Sequence, residues 1–206
     1  IPMKLSINFD AFKPLLKDLF SSPESFLKEA CQNSQRAGAT RIDLSYDSTT
    51  QTMLIEDNGK GFDDNSWAAF FDICTSGWSQ EVTTEQKPFG IGALSLLVPS
   101  EEVIVWSHNV MESYSDKLLT DNEFESARTI TNDAYEGTMI GLKIREDFKI
   151  ERVLSSIKVL FKGFTIPVFF NGEELSRPKA LDSLDFDEAD FGSISILDQY
   201  KLYKGF

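Results

Sequence analysis

SPESFLKEACQNSQRAGATRIDLSYDSTTQTMLIEDNGKG, residues 22–61, decides the fold. Ser22 offers an N-cap oxygen, Pro23 suits the first helical position, and Gly38 supplies a stop. The spacing predicts one helix of about four turns between them. Arg41-Ile42-Asp43-Leu44-Ser45-Tyr46 then alternates apolar and polar residues, as a half-buried strand does. Polar Asp47 to Gln51 turns the chain, and Met53 to Asp57 returns as the partner strand. Asn58-Gly59-Lys60-Gly61 breaks that strand. A helix beside an antiparallel pair is the start of a mixed α/β layer.

Working outward, Phe12, Leu15, Leu16 and Leu19 give Phe9 to Phe20 a helical spacing upstream. Downstream, Asp63 or Asp64 can cap a helix carrying Trp67, Phe70 and Phe71 on one face. From Thr75 to Phe89 the apolar pattern is lost, and a segment of that size is expected to be a lid. Gly90 to Leu97 is expected to be a glycine-led short helix and Val103 to Trp106 a buried strand. Two further strands are expected at Ser126 to Thr131 and Thr138 to Ile144. Ile150, Val153, Leu154, Ile157, Leu160 and Phe161 mark Glu151 to Lys162 as an amphipathic helix. Ile166 to Phe170, Asn171-Gly172 and Glu173 to Leu175 make a hairpin with a type I′ turn signal. Residues 179–206 turn acidic and are expected to be a linker or the start of a downstream domain.

The 206 residues, 41% hydrophobic and with 17 Phe, suffice for one sizeable core. Twenty basic against 33 acidic side chains give a net charge of −13, which repels polyphosphate backbones, so nucleic acid is not an expected partner. Cys31 and Cys74 lack metal-ligand spacing and read as reduced core thiols. No apolar run is long enough to span a membrane and no secretory leader opens the chain, so a soluble, cytoplasmic protein is expected.

Four places combine chemistry with a suitable element. On the first predicted helix, Phe26, Leu27, Ala30, Ser34 and Ala37 make the inner face. Asn33 falls within that face and Glu29 on its edge, while Lys28, Gln32, Gln35 and Arg36 point away. An inward amide needs partners, and an ordinary capping or core Asn would satisfy this equally well. Strand alternation puts Met53, Ile55 and Asp57 on one face, so a carboxylate ends an apolar row, followed by Gly59 and Gly61. Asp-Asn-Gly alone is more often a plain turn. Gly90-Ile91-Gly92-Ala93-Leu94-Ser95 offers backbone amides at a helix start, which suits phosphate. It is not a full dinucleotide fingerprint, because Ser95 replaces the third glycine, and no Gly-x4-Gly-Lys-Ser/Thr loop occurs. Gly137-Thr138 opens a strand on which Thr138, Ile140, Leu142 and Ile144 share one face.

In order and spacing these four places resemble the GHKL (Bergerat-fold) superfamily of DNA gyrase, heat-shock chaperone ATPases, histidine kinases and MutL proteins. Glu29-x3-Asn33 is similar to its helix motif, Asp57-x-Gly59-x-Gly61 to its adenine box, Gly90-x-Gly92-x-x-Ser95 to its lid glycine box, and Gly137-Thr138 to its closing strand. The resemblance implies an α+β fold: a two-layer α/β sandwich whose mixed, mostly antiparallel sheet is covered on one face by helices. It covers an ATP-binding domain over residues 4–178. It implies ATP and Mg2+ as cofactors. Asp57 would accept from the adenine amino group with Thr138 in support, and Asn33 would be the metal ligand. Amides around Gly90, Ile91 and Gly92, with Ser95, would hold phosphates, and Glu29 would act on the attacking water. The only histidine, His108, follows a predicted strand with no dimerisation hairpin before the domain, which argues against a histidine kinase. Ser21 to Glu24 and Ile91 to Ser107 resemble the chaperone branch, while Gly38 to Ile42 and Thr75-Ser76 resemble the MutL branch. The expected role is an ATP-hydrolysing conformational switch with an ATP-dependent homodimer and a basic residue from a downstream domain. A nucleotide-binding module with negligible turnover and a phosphotransferase are the alternatives.

Overall fold

A computed structural model of the chain describes residues 22–71, 95–115, 126–175, 187–189 and 192–194. Expectations for Phe9 to Phe20, the Thr75–Phe89 lid, Cys74 and Gly90 to Gly92 fall outside these residues. In chain order the elements are α1 (Ser25–Arg36), β1 (Ile42–Asp47), β2 (Thr52–Asp57), α2 (Asp64–Phe71), β3 (Ser100–Ser115) and β4 (Ala127–Ile144). They continue with α3 (Ile150–Leu160), β5 (Val168–Phe170), β6 (Glu173–Glu174), β7 (Asp187–Ala189) and β8 (Gly192–Ile194).

Six strands form one sheet in the order β3-β4-β2-β1-β5-β6, and β7 and β8 form a separate antiparallel pair. Within the large sheet only β1 and β5 run parallel; the other neighbours are antiparallel. Alternation sends Ile42 and Leu44, Met53 and Ile55, Val103 and Val105, Ile140, Leu142 and Ile144, and Val168 into one buried core. The apolar stripes of α1 (Phe26, Leu27, Ala30, Cys31) and α3 (Ile150, Val153, Ile157) complete that core. This is the α+β arrangement of a mixed sheet with helices packed on one face.

Local signals account for most element ends. Gly38 N–H bonds to Gln35 O at 3.0 Å and Ala39 N–H to Ser34 O at 3.0 Å, the paired bonds that close a helix at a left-handed glycine. Asp63, rather than Asp64, caps α2: its Oδ1 accepts from Ser66 N at 2.7 Å. Asn171 and Gly172 both have positive φ, as a type I′ turn requires. Three expectations need correction. The first helix begins at Ser25, not beside a Ser22 cap, because Ser22 O closes a tight turn with Ser25 N at 3.0 Å. Val103 to Trp106 lies in the first half of a 16-residue strand that also contains His108, and the two strands expected at 126–144 are one. The outer halves of β3 and β4 pair backbone to backbone (Val110 with Ile130, Glu112 with Arg128), with most of these β4 residues exposed. Ladder bonds need no apolar alternation, so polar residues 131–136 hid the continuity.

Gly137 lies where β4 crosses the end of β2. A Cβ there would sit 1.9 Å from Asp57 O, and its φ is +90°. Gly172, at φ +83°, has nothing within 4 Å of its imagined Cβ. Gly172→Ala should therefore cost only the left-handed backbone strain, about 1–2 kcal/mol. Gly137→Ala adds a backbone collision and should cost clearly more. Urea unfolding of both variants checks this, and equal losses would contradict it.

Candidate functional site

The site grows from the junction of α1 and β2. Asp57 is the last residue of β2, and alternation with Met53 and Ile55 turns it inward, so that it is 9% exposed. Its Oδ2 accepts from Ser34 Oγ at 2.7 Å and its Oδ1 from Gly59 N at 2.8 Å. Ser34 Oγ also lies 3.2 Å from Ala30 O; its single proton serves the shorter, charge-assisted contact better. Burial pushes the Asp57 carboxyl above the usual range, opposed by the donors Ser34, Gly59 and the Thr138 backbone. Thr138 is the direct β4 partner of Asp57 and is itself buried. Its placement on one face with Ile140, Leu142 and Ile144 is as expected.

The glycine loop after β2 is fastened on both sides. Asn58 Oδ1 accepts from Thr40 N and Arg41 N at 2.8 and 2.9 Å, and Lys60 N donates to Ala37 O at 3.0 Å. On the far side Ser107 Oγ accepts from Phe62 N at 2.8 Å and donates to Gly137 O at 2.7 Å. A Cβ on Gly61 would come 2.4 Å from that hydroxyl, so the loop tolerates no side chain there. Neither Asn58 nor Ser107 was singled out from sequence. Ser107 carried a usable signal, because it continues the buried row Val103, Val105 with a polar residue. His108 Nε2 lies 3.1 Å from Lys60 O beside this loop.

Further along α1, Glu29 and Asn33 stand one turn apart on a half-buried strip adjoining Ser34. The sequence reading pointed Arg36 away from them, and the structure corrects it. The Arg36 side chain is 5% exposed, with Nη1 2.8 Å from Asn33 Oδ1 and 3.7 Å from Glu29 Oε1. Helical side chains lean towards the N-terminus, which lays this long chain back over two turns. Ser95 is buried, at the start of a described segment, and Gly90, Ile91 and Gly92 lie outside the described residues. The structure thus brings Asp57, Gly59, Gly61 and Thr138 into one corner, with Asn33 and Glu29 on the helix that borders it.

The donor chemistry bears on magnesium. Asn33 presents an amide oxygen, a suitable ligand for a hard cation. Among the described residues no group of three or more His, Cys, Asp or Glu could hold a metal unaided. Asn33 would hold a magnesium ion through its amide oxygen, and the ion would supply positive charge to ligand phosphates. Cys31, fully buried, has its thiol pushed upward by burial and then by the Asp57 charge, so it is an inert core group.

The raised Asp57 carboxyl makes a pH prediction. A group whose folded value is raised adds stability that is fully present below its unfolded value and lost as pH rises through the folded one. Ser34 limits that loss by donating to the ionised form. Ser34→Ala should therefore cost roughly 1.5–3 kcal/mol at neutral pH. The cost should be smaller at about pH 2.5, below both the ordinary aspartate value and the raised folded one, where the carboxyl is mostly protonated in both states. Denaturant titrations at the two pH values check it; a pH-independent cost would mean that Ser34 does not act through Asp57.

With this geometry in place, comparison with known proteins is direct. A family model described as histidine kinase-, DNA gyrase B- and HSP90-like ATPase matches residues 20–140, a stretch running from before α1 to beyond Thr138. A chaperone protein HtpG from Paramagnetospirillum magneticum is 28% identical over 212 residues, covering 89% of this chain and 33% of the relative. Chaperone proteins HtpG from Burkholderia lata and Helicobacter hepaticus are each 24% identical, covering 80% and 65% of this chain and 32% and 26% of theirs. The chain therefore spans about a third or less of the length of these relatives. Among the described residues no helix is long and apolar enough to cross a membrane. The matched stretch is more than half of the chain: the chain belongs to the histidine kinase-, DNA gyrase B- and HSP90-like ATPase family, and within it resembles the chaperone type.

Proposed function

We propose that this chain is the ATP-binding and hydrolysing unit of an ATP-driven conformational switch, chaperone-like or MutL-like. The observation that carries the reading is Asp57, a buried carboxylate at the open end of an apolar strand face. A carboxylate has about four acceptor positions, and Ser34, Gly59 and the Thr138 backbone take three, which leaves capacity for an exocyclic amine. Asp57 accepts from the adenine amino group, with Thr138 beside it. Gly59 and Gly61 let the backbone approach the base. Backbone amides around Gly90, Ile91 and Gly92, with Ser95, supply phosphate contacts. Asn33 ligates magnesium, which when bound neutralises phosphate charge. Glu29 orients or deprotonates the attacking water.

In this reading residues 4–178 form the nucleotide unit and 179–206 lead into a downstream domain that supplies a basic residue. ATP pairs two copies of the full protein in the cytoplasm. One observation favours a second reading, a nucleotide-binding module with negligible turnover: Arg36 lies against both Asn33 and Glu29. A phosphotransferase is the third reading; His108 itself sits within β3 against the loop after β2.

Two variants test the assignment. Asp57→Asn should weaken ATP binding about ten- to a hundredfold, the worth of a charge-assisted contact, by calorimetry on folded protein. Unchanged affinity would remove Asp57 from the site. Glu29→Ala, compared with wild type in the longest available form of the protein, should keep ATP binding but slow hydrolysis about 10²–10⁴-fold. Asn33→Ala should instead weaken magnesium-dependent binding. Equal enzyme-dependent rates for Glu29→Ala and wild type would favour the binding module.

A further inference from the structure

Glu29, Asn33 and Arg36 occupy positions i, i+4 and i+7 of one helix, and a single nitrogen of Arg36 lies against both of the others. Guanidinium carries donors only, so the oxygen of the Asn33 amide, not its nitrogen, must face Arg36. That oxygen is the one the proposed function gives to magnesium. We infer that Arg36 is an internal competitor for the metal position: without nucleotide it holds Asn33 Oδ1, and a magnesium ion gains that oxygen only by displacing the guanidinium. The inference rests on the reading of Asn33 as the metal ligand and adds a regulator to that site.

Three features carry it. The bond to Asn33 is 2.8 Å, full hydrogen-bonding distance, and Glu29 Oε1 lies 3.7 Å from the same nitrogen. The Arg36 side chain is 5% exposed against 31% for Glu29, so this is a guanidinium withdrawn from solvent, not a surface partner swinging in water. A divalent cation on Asn33 Oδ1 would stand next to the guanidinium charge in a poorly screened place, where like charges repel strongly. A basic residue in the last turn of a helix is favoured by the helix dipole alone. That preference explains why a cation is tolerated at position 36, but not why its head is buried on the amide oxygen. The consequence is a nucleotide site that takes up metal poorly when empty. It becomes receptive when ligand anions draw the guanidinium away, since planar guanidinium pairs well with phosphate oxygens.

The test is the magnesium enhancement of ATP affinity, the ratio of affinities measured by calorimetry with magnesium and with EDTA. Wild type, Arg36→Met and Arg36→Lys are compared, and adenosine binding reports on the adenine corner alone. The ratio should be at least about tenfold larger in Arg36→Met than in wild type, with adenosine affinity within about twofold. Arg36→Lys, which keeps a cation over Asn33, should stay near the wild-type ratio. Should Arg36→Met fail to melt cooperatively, Arg36→Gln carries the same expectation. An unchanged ratio with adenosine bound normally would overturn the inference and leave the adenine site standing. A wild type that binds neither adenosine nor ATP would overturn the proposed site and this inference together.

Discussion

The structure turns on a buried carboxylate. Asp57 ends a strand whose inward row is otherwise Met53 and Ile55, and an ion in that position is costly unless donors surround it. The surroundings are built to that requirement. Ser34 on α1 and the Gly59 amide donate to it, and Gly137 has no side chain because the Asp57 carbonyl occupies that space. Helix α1 and the loop after β2 are thus tied to its carboxylate, and strand β4 is held beside it through the Asp57–Thr138 pairing. Ser34 and Gly59 answer the charge of Asp57, whereas Gly137 answers the backbone carbonyl of the same residue.

Most of the fold could be read from residues because its elements obey local rules. Gly38 ends α1, Asn171-Gly172 makes the hairpin turn, and the period-2 rows of β1 and β2 face the core where alternation put them. The failures share a cause. The first helix starts after Ser22 because a backbone carbonyl, not a side chain, closes its first turn. The long β3–β4 ladder was hard to read beyond its core half, since the outer residues of β4 are mostly exposed and pair through backbone groups, and only β3 keeps buried positions there, at Glu112 and Tyr114. Apolar periodicity reports burial, and elements held by main-chain bonds alone lie beyond its reach.

The candidate site was legible where a residue broke the pattern around it. Asp57 on an apolar face and Thr138 at the head of an apolar row both stood out, and both are buried neighbours across the β2–β4 pairing. Ser107 broke a row in the same way and had no motif to draw attention to it. Arg36 could not have been found on a helical wheel. A wheel projects where Cβ points, whereas the guanidinium lies several bonds away and follows the helix axis back to Asn33 and Glu29. Long, flexible, charged side chains are where direction and destination part company.

That distinction bears on how a single helix can serve two ends of one ligand. Ser34, on the buried face of α1, grips Asp57 and so fixes the corner proposed for adenine. Asn33, the preceding residue, points about 100° away around the axis, onto the strip shared with Glu29 and Arg36. Consecutive residues of a regular helix cannot be reoriented separately without breaking its hydrogen bonds. The distance and angle between the adenine corner and the proposed phosphate strip are therefore set by helix geometry, not by any loop. What remains adjustable is the side chain that spans the strip. In the proposed reading the frame supplies position, and Arg36, resting on Asn33 and Glu29, supplies a charge whose place on the strip depends on what occupies the phosphate end.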